Sequence, residues 1–321
     1  MKKSISIILI ISYLFSENYE YLIYTTADFI EPANNISALH ENDVIPSMQL
    51  NTNIILKDTL SKPINEHIDN MLTNNNNLKY LLIIGDENVI EPIYYTNSVP
   101  CDDYYSSEFI TPFTLPNPRL ITGRILTDNA AEAIEIIQRI RQYTLSPSNG
   151  LWKNKLLLTC DNEFKSGVET RQEKYHTIYS NKIYNELKNL MPINTMYGSD
   201  YNTQESSDWF SQPELTEDLI NTINSGVGII NYIGHGTHEV LADEDILKLD
   251  RDLNLINCSG KLPIWVVGTC SFGNYDNNVC FAEELIKHDN AAIAVISTTR
   301  GILSTENYKY LKNLFNTQLK N

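Results

Sequence analysis

The sequence has few basic residues, few glycines and prolines, and almost no long apolar runs. Its 321 residues include 24 Lys and Arg against 40 Asp and Glu, so the net charge is −16. An acidic surface repels phosphate backbones, and we therefore expect no nucleic-acid partner. The 13 glycines and 12 prolines exclude a collagen-like or linker-dominated chain. Beyond the amino terminus no segment supplies the ~20 consecutive apolar residues of a membrane helix, so we expect no stable membrane span.

The amino terminus carries the most apolar stretch of the chain. Lys2 and Lys3 precede a mostly apolar run over residues 5–15, which is the charged head and apolar core of a signal peptide. A buried first strand is the alternative interpretation. We interpret residues 1–18 as a signal peptide, and we expect the protein to be secreted or held in the cell envelope.

The five cysteines are an odd number for an exported chain, so at least one must remain a thiol or pair between molecules. Their spacing contains no paired CxxC motif and does not indicate a dense disulfide scaffold. Cys258 and Cys280 fit either a disulfide or small core residues. A zinc site is a minor alternative, with these candidate ligands: His235, His238, Cys258, Cys270 and Cys280.

The length allows two domains of ~150 residues each. Residues 146–150 (SPSNG) form the clearest boundary, dividing an amino-terminal unit (19–146) from a carboxyl-terminal unit (147–321). In the second unit, strands predicted over residues 156–159, 227–233, 262–267 and 291–297 alternate with helices. This alternation predicts a mainly parallel sheet between two helical layers, an α/β three-layer sandwich with functional groups at the carboxyl ends of its strands.

Two of these apolar strands run directly into reactive side chains. The first leads into Gly234-His235-Gly236 and the second into Gly268-Thr269-Cys270-Ser271. If the strands are parallel neighbours, the thiol and the imidazole emerge at one edge of the sheet. A thiolate attacks a carbonyl carbon, and a nearby imidazole returns the proton to the leaving amine. Glycines beside the histidine leave main-chain N–H groups accessible to a developing oxyanion.

The segments around these residues resemble the gingipain family of cysteine peptidases, which belongs to the caspase-like clan and includes the sortase of the type IX secretion system. The similarity lies in NYIGHG (231–236), LPIWVVGTCSFGNYD (262–276), AEEL (282–285) and AAIAVISTTR (291–300). Earlier segments agree, namely YLLIIGD (80–86), PCDDYYS (100–106) and LITGRI (120–125). The resemblance implies a caspase-like fold in two subdomains and a polypeptide substrate.

The resemblance also implies roles for individual residues. Cys270 is expected to be the nucleophile and His235 the proton shuttle, with the Gly236 and Cys270 N–H groups as the oxyanion hole. Asp161 is expected to orient the histidine, with Glu163 as a nearby substitute. Arginine-specific members of that family have an acidic residue in the S1 pocket, and Glu173 lies in the corresponding region of this sequence, so the P1 specificity stays open. The expected pocket walls include Thr298, Thr299 and Leu303.

These expectations amount to a cysteine endopeptidase that forms an acyl-enzyme on Cys270. A sortase-like transpeptidase and a non-catalytic binding protein on the same fold are the alternatives. We expect no required cofactor and no metal in the active site, and a structural calcium ion stays open. Asp102 and Asp103 fit a brace between the subdomains better than a cation site. His176, on a predicted helix, is expected to be a surface or helix residue.

Overall fold

The computed structural model describes residues 18–74, 77–96, 98–107, 115–162, 174–205, 210–277 and 279–319. The signal-peptide prediction, apart from residue 18, therefore lies outside the described residues, and so do Glu163 and Glu173. In the described ranges no helix is both long and apolar enough to cross a membrane.

The amino-terminal unit is built on a parallel sheet of four strands. They are β1 (Tyr21–Thr25), β2 (Thr52–Leu56), β3 (Tyr80–Ile84) and β4 (Ile121–Ile125), in the order β2-β1-β3-β4. Alternate residues of β1 point to opposite faces, so Ile23 packs under helices α1 (Ile30–Ala38) and α3 (Ala130–Leu145), and Leu22 packs under α2 (Ile64–Asn74). Apolar residues on both sides of the strands thus require helices on both faces.

The carboxyl-terminal unit repeats this plan with five parallel strands. They are β5 (Leu156–Cys160), β6 (Ile193–Tyr197), β7 (Ile229–Ile233), β8 (Ile264–Gly268) and β9 (Ala294–Ser297), in the order β9-β8-β7-β5-β6. One face is covered by α5 (Pro213–Ser225) and α7 (Phe281–Lys287), and the other by α4 (Tyr175–Leu187) and α8 (Ser304–Leu319). A one-turn helix, α6 (Leu249–Asp252), follows a short hairpin.

Three two-stranded hairpins and several tight helical turns complete the described structure. The hairpin strands are Tyr94–Tyr95 with Val99–Pro100, Gln204–Glu205 with Phe210–Ser211, and Val240–Leu241 with Leu247–Lys248. The tight 3₁₀ turns are Ala27–Phe29, Pro46–Met48, Lys57–Thr59, Asp102–Ser106, Leu151–Asn154, Gly198–Asp200 and Leu253–Leu255. Leu39–Asp43 is a wider π-helical turn that continues α1.

The prediction of an α/β fold with parallel sheets between helical layers is confirmed. Strand β6, at one edge of the second sheet, was not predicted. The division at residues 146–150 stays a prediction about domains, although each sheet is drawn from one side of it.

The two units touch beside the carboxyl end of the second sheet. The Thr299 hydroxyl donates to the Pro100 carbonyl at 3.1 Å, and the Tyr275 hydroxyl donates to Asp102 Oδ1 at 3.2 Å. At a separate contact, Arg139 of α3 donates to the carbonyl oxygen of Ile286 in α7. A cavity of about 980 Å³ lies between the edge strands β4 and β9.

Candidate active site

The carboxyl ends of β5, β7 and β8 bring the predicted site residues to one edge of the second sheet. Strand β7 lies between the other two, and Ile233 is opposite both Gly268 and Cys160. His235 and Cys270 each follow the paired positions Ile233 and Gly268 by two residues, and Asp161 directly follows β5. The expectation that the two reactive strands are parallel neighbours is therefore confirmed.

The main chain of His235 is held on both sides. Its carbonyl oxygen accepts hydrogen bonds from the Tyr232 hydroxyl at 2.7 Å and from the Ala242 N–H at 2.9 Å. Its own N–H donates to Asp161 Oδ2 at 2.6 Å. Because these bonds fix the backbone on either side of Cα, the imidazole projects from a rigid turn at the sheet edge.

Asp161 is shared between two histidines. The carboxylate is 1% exposed, and while Oδ2 accepts the main-chain N–H of His235, Oδ1 lies 2.7 Å from Nδ1 of His176. Burial of an acidic side chain is tolerated where its oxygens are hydrogen-bonded in this way. The bonds described thus connect Asp161 to the backbone of His235 and to the ring of a second histidine.

His176 is a site residue that sequence reasoning missed. It lies on α4, as expected of a helix residue, but it begins the buried face of that helix and is 6% exposed, so the expectation of a surface residue was wrong. Its ring meets the His235 ring edge-on, with centroids 5.0 Å apart. The sequence did contain an indication that His176 is buried, because His176 recurs at helical spacing with Ile183 and Leu187 and therefore shares their face of the helix.

The glycines on either side of His235 are required by close packing. A Cβ on Gly234 would lie 2.9 Å from Asp161 Oδ2, in addition to colliding with the Tyr232 ring. A Cβ on Gly236 would lie 2.7 Å from Thr269 Oγ1 and 2.9 Å from the Val240 carbonyl oxygen. Thr269 directly precedes Cys270, so Gly236 allows the histidine turn to pack against the cysteine strand.

Cys270 lies half-buried at the start of a sharp turn. Its sulfur accepts a hydrogen bond from the Ile302 N–H at 3.4 Å. Ser271 adopts a left-handed φ of 57°, which bends the chain away immediately after the cysteine. Among the described residues, neither the Gly236 N–H nor the Cys270 N–H donates a hydrogen bond to a partner. Both donors are thus available where an oxyanion hole was expected.

The other cysteines are unsuited to nucleophilic chemistry. All five lie in the described ranges and none forms a disulfide, so Cys258 and Cys280 are core residues. Burial raises the pKa of Cys101 to about 11 and the pKa of both Cys258 and Cys280 to about 12. Since the thiolate is the reactive form, this burial suppresses their reactivity.

The predicted pocket residues lie on the segment that contacts Cys270 through Ile302. The Thr298 hydroxyl donates to the Thr269 carbonyl, and the Thr299 hydroxyl donates to Pro100, so both hydroxyls serve internal contacts. Leu303 is 73% exposed and open to a ligand. Arg300 is fixed by a bidentate ion pair with Asp276, with N–O distances of 2.7 and 2.8 Å.

A buried ion pair at the edge of the first sheet is contacted by Tyr275 of the loop after Cys270. Arg124 of β4 donates to both oxygens of Asp102, at 2.9 and 2.6 Å, and to the carbonyls of Gly85 and Ile90 at 2.9 Å each. Its guanidinium carbon also lies 5.4 Å from the centre of the Tyr275 ring. Together with the bond from Tyr275 to Asp102, these contacts give Asp102 the bracing role expected of it.

The five candidate zinc ligands considered from the sequence do not lie together in the structure. In the described part of the chain, the three metal-ligating side chains that gather are Asp161, His176 and His235, whose ligand atoms all lie within 4.8 Å of one another. His238 points to Glu239 instead, at 3.7 Å.

The chain is similar to one known protein family and to one curated protein. A family model described as peptidase family C25 matches residues 15–321. An uncharacterized protein of Archaeoglobus fulgidus is 20% identical over 276 residues, covering 76% of this chain and 65% of that protein. The chain thus spans just under two thirds of the length of this curated relative.

Solved structures share the fold at low sequence identity. The Arg-specific cysteine proteinase gingipain R superposes with a TM-score of 0.72 at 16% identity, covering 95% of this chain and 68% of that one. The structure of a second protease gives a TM-score of 0.68 at 16% identity, with 91% of this chain and 62% of that one covered. The complex of Porphyromonas gingivalis RgpB pro- and mature domains gives 0.65 at 16% identity, with 90% and 66% covered. The expected caspase-like fold is confirmed by this likeness.

Proposed function

The chain belongs to peptidase family C25, and from that membership we propose that it is a cysteine endopeptidase in which Cys270 attacks the peptide bond and His235 carries the proton. The observation that carries the proposal is the matched register of β7 and β8, which ends both strands at one edge with His235 and Cys270 at equivalent positions. Polypeptides are the proposed substrates. The steps need no cofactor.

The reaction follows from the order of proton transfers. His235 takes the proton of the Cys270 thiol, and the thiolate attacks the carbonyl carbon of the scissile bond. His235 then gives the proton to the leaving nitrogen, which releases the amine and leaves a thioester on Cys270. Water, losing a proton to His235, attacks the thioester; the C–S bond breaks, the acid is released, and His235 returns the proton to the Cys270 sulfur.

The oxyanion of each tetrahedral intermediate requires donors that are already in place. We assign this role to the N–H groups of Gly236 and Cys270, neither of which donates to another described residue. Donors of this kind contribute about 10²–10³ in kcat each. The tight packing of Gly236 on Thr269 supports this assignment, because it fixes one donor relative to the nucleophile.

Orientation and specificity are assigned to neighbouring residues. Asp161 would act as a positioning residue through the His235 main chain.

We propose that Thr298, Thr299 and Leu303 form part of the substrate pocket wall, with Leu303 the exposed member that contacts substrate. Replacing Leu303 with Asp should raise KM for peptides with an apolar or acidic side chain near the cleaved bond. Replacing the distant exposed Leu151 with Asp should not.

The decisive test is Cys270→Ala, assayed against a peptide library with mass-spectrometric detection. We expect at least a ~10³-fold loss of cleavage with little change in the melting temperature, and comparable damage from His235→Ala. Asp161→Ala should retain partial activity. Cys101→Ala is the matched control and should cleave like the wild type. Undiminished cleavage by Cys270→Ala would refute the assignment.

The same assay separates hydrolysis from transfer. With an added amine acceptor, a peptidase yields mainly the acid product, whereas a transpeptidase yields the amide. Adding a calcium chelator tests for a structural calcium ion, whose removal would lower the melting temperature.

We further propose that residues 1–18 direct export. The charged and apolar pattern of the sequence supports this. Expression of the full chain, followed by amino-terminal sequencing of the exported product, should find the segment removed. An intact amino terminus in the cytoplasmic fraction would contradict it.

A further inference from the structure

The Asp161–His176–His235 cluster places a second histidine next to the proposed catalytic histidine. It combines two imidazoles and one carboxylate, contributed by the ends of two neighbouring strands and by the first turn of α4. Asp161 and His176 are buried, and His235 is half-buried beside the proposed nucleophile. Nothing in the proposed peptide cleavage requires a second imidazole at this point.

This set of ligands suits a particular class of cation. Two imidazole nitrogens and a carboxylate oxygen favour divalent transition metals such as Zn²⁺ over Ca²⁺ or Mg²⁺, which prefer oxygen ligands. Zinc binds such atoms at ~2.0–2.2 Å, so atoms that share one zinc ion lie close to one another. The three ligand atoms here lie within 4.8 Å of one another, which is wider than a bound zinc ion requires. Small side-chain rotations about a rigid backbone would close that difference.

The surroundings also favour a cation here. The Asp161 carboxylate carries a negative charge at a site with almost no solvent exposure, where opposite charges attract more strongly than in water. Its present bonds to His176 and to the His235 main chain hold both histidines beside it. The geometry is therefore largely assembled before a metal arrives.

We propose that Asp161, His176 and His235 form an inhibitory site for a divalent transition-metal cation of the Zn²⁺ class. Its consequence for activity rests on the proposed function. Neutral imidazole has one nitrogen with a free lone pair, and the other nitrogen carries a hydrogen, so a metal that binds the lone pair of His235 leaves no nitrogen to accept the proton of Cys270. Zinc then switches the enzyme off without occupying the thiol. The competing arrangement is zinc held directly between Cys270 and His235, and the experiment must distinguish the two.

The test measures Zn²⁺ binding by calorimetry on the full chain, independently of peptidase activity. The inactive variant Cys270→Ala should bind one Zn²⁺ with the affinity of the wild type. His176→Gln, whose amide can still donate to Asp161, should bind at least ~100-fold more weakly, since even residues that only support a ligand contribute 10–100-fold. His238→Gln is the matched control, a nearby histidine outside the cluster, and should bind normally.

The opposite pattern would overturn the proposal. Loss of binding in Cys270→Ala with retention in His176→Gln identifies the thiol as the ligand, and no binding by any variant removes the site altogether.

Co²⁺ spectroscopy of the wild type gives a measurement that needs no variant to fold. Ligand-field bands without a thiolate charge-transfer band support the cluster, and a thiolate band refutes it. In an active preparation, the Zn²⁺ concentration for half-inhibition should rise in His176→Gln relative to that variant's own uninhibited rate.

Discussion

The two sheets of this protein share one architecture, but the loops at their carboxyl ends carry different functional groups. Both are parallel and covered by helices on both faces. At the carboxyl edge of the first sheet, polar groups serve the loops themselves: Asp86 Oδ1 accepts the N–H groups of Asn88 and Val89, and the Thr25 hydroxyl donates to the Ile84 carbonyl. At the same edge of the second sheet, the thiol of Cys270 and the imidazole of His235 follow paired strand ends, and the N–H groups of Gly236 and Cys270 donate to no other described residue. A shared architecture therefore supplies the edge, and the loop sequences decide whether it carries chemistry.

Thiol reactivity should separate the two units most sharply. Cys101 in the first unit has a pKa raised to about 11 by burial, so at pH 8 only about one molecule in a thousand carries its thiolate. Iodoacetamide labelling followed by peptide mapping should therefore modify Cys270 first and leave Cys101, Cys258 and Cys280 unlabelled in the folded protein. Equal labelling of Cys101 and Cys270 would show that the units do not differ in this way.

Breaking the Arg124–Asp102 pair tests whether the first unit supports the second. The two side chains are 5% and 19% exposed, so Arg124→Met leaves a largely buried carboxylate without its partner. We expect the free energy of unfolding to fall by about 3–5 kcal/mol in urea titrations. The matched control is Lys62→Met, which breaks an exposed pair with Glu66 and should change stability by less than ~0.5 kcal/mol. Similar losses in the two variants would contradict a bracing role.

The strands that carry the reactive residues could be predicted because they are buried on both faces and therefore almost entirely apolar, with Asn231 the one polar residue. Strand β6 could not, since its sequence INTMY mixes apolar and polar residues, only Tyr197 is buried, and its conformation depends on main-chain pairing with β5. His176 was missed for a related reason. Its partner Asp161 lies 15 residues away in sequence, and a lone histidine on a helix gives no sign of a buried carboxylate until the fold brings them together.

Adding a Cβ at a glycine should reduce activity beside the second sheet but not in the first. In Gly236→Ala, the added Cβ would lie within 3 Å of Thr269 Oγ1 and the Val240 carbonyl, so the histidine turn or the residue before Cys270 must shift. We expect kcat to fall about 10²-fold with little change in KM, because one oxyanion donor is displaced. Gly123→Ala, in strand β4 of the first sheet, adds a Cβ with no atom within 4 Å and should leave both constants unchanged. Equal effects would indicate general destabilisation.

The smallest effect should come from removing one hydroxyl at the junction of the units. Tyr275→Phe deletes the 3.2 Å bond to Asp102 and keeps the ring beside Arg124. Loss of one such bond should lower the free energy of unfolding by about 0.5–1.5 kcal/mol.

Because Tyr275 lies five residues after Cys270 on the same loop, we also expect kcat to fall a few-fold while KM is conserved. Tyr80→Phe is the control, a half-buried tyrosine of the first sheet whose hydroxyl donates to no described residue, and it should leave kcat unchanged. If Tyr275→Phe loses stability but no kcat, the first unit only stabilises the fold. If both fall together, and Asp102→Asn lowers kcat no further in the Tyr275→Phe background, then the bond between the units positions the nucleophile as well.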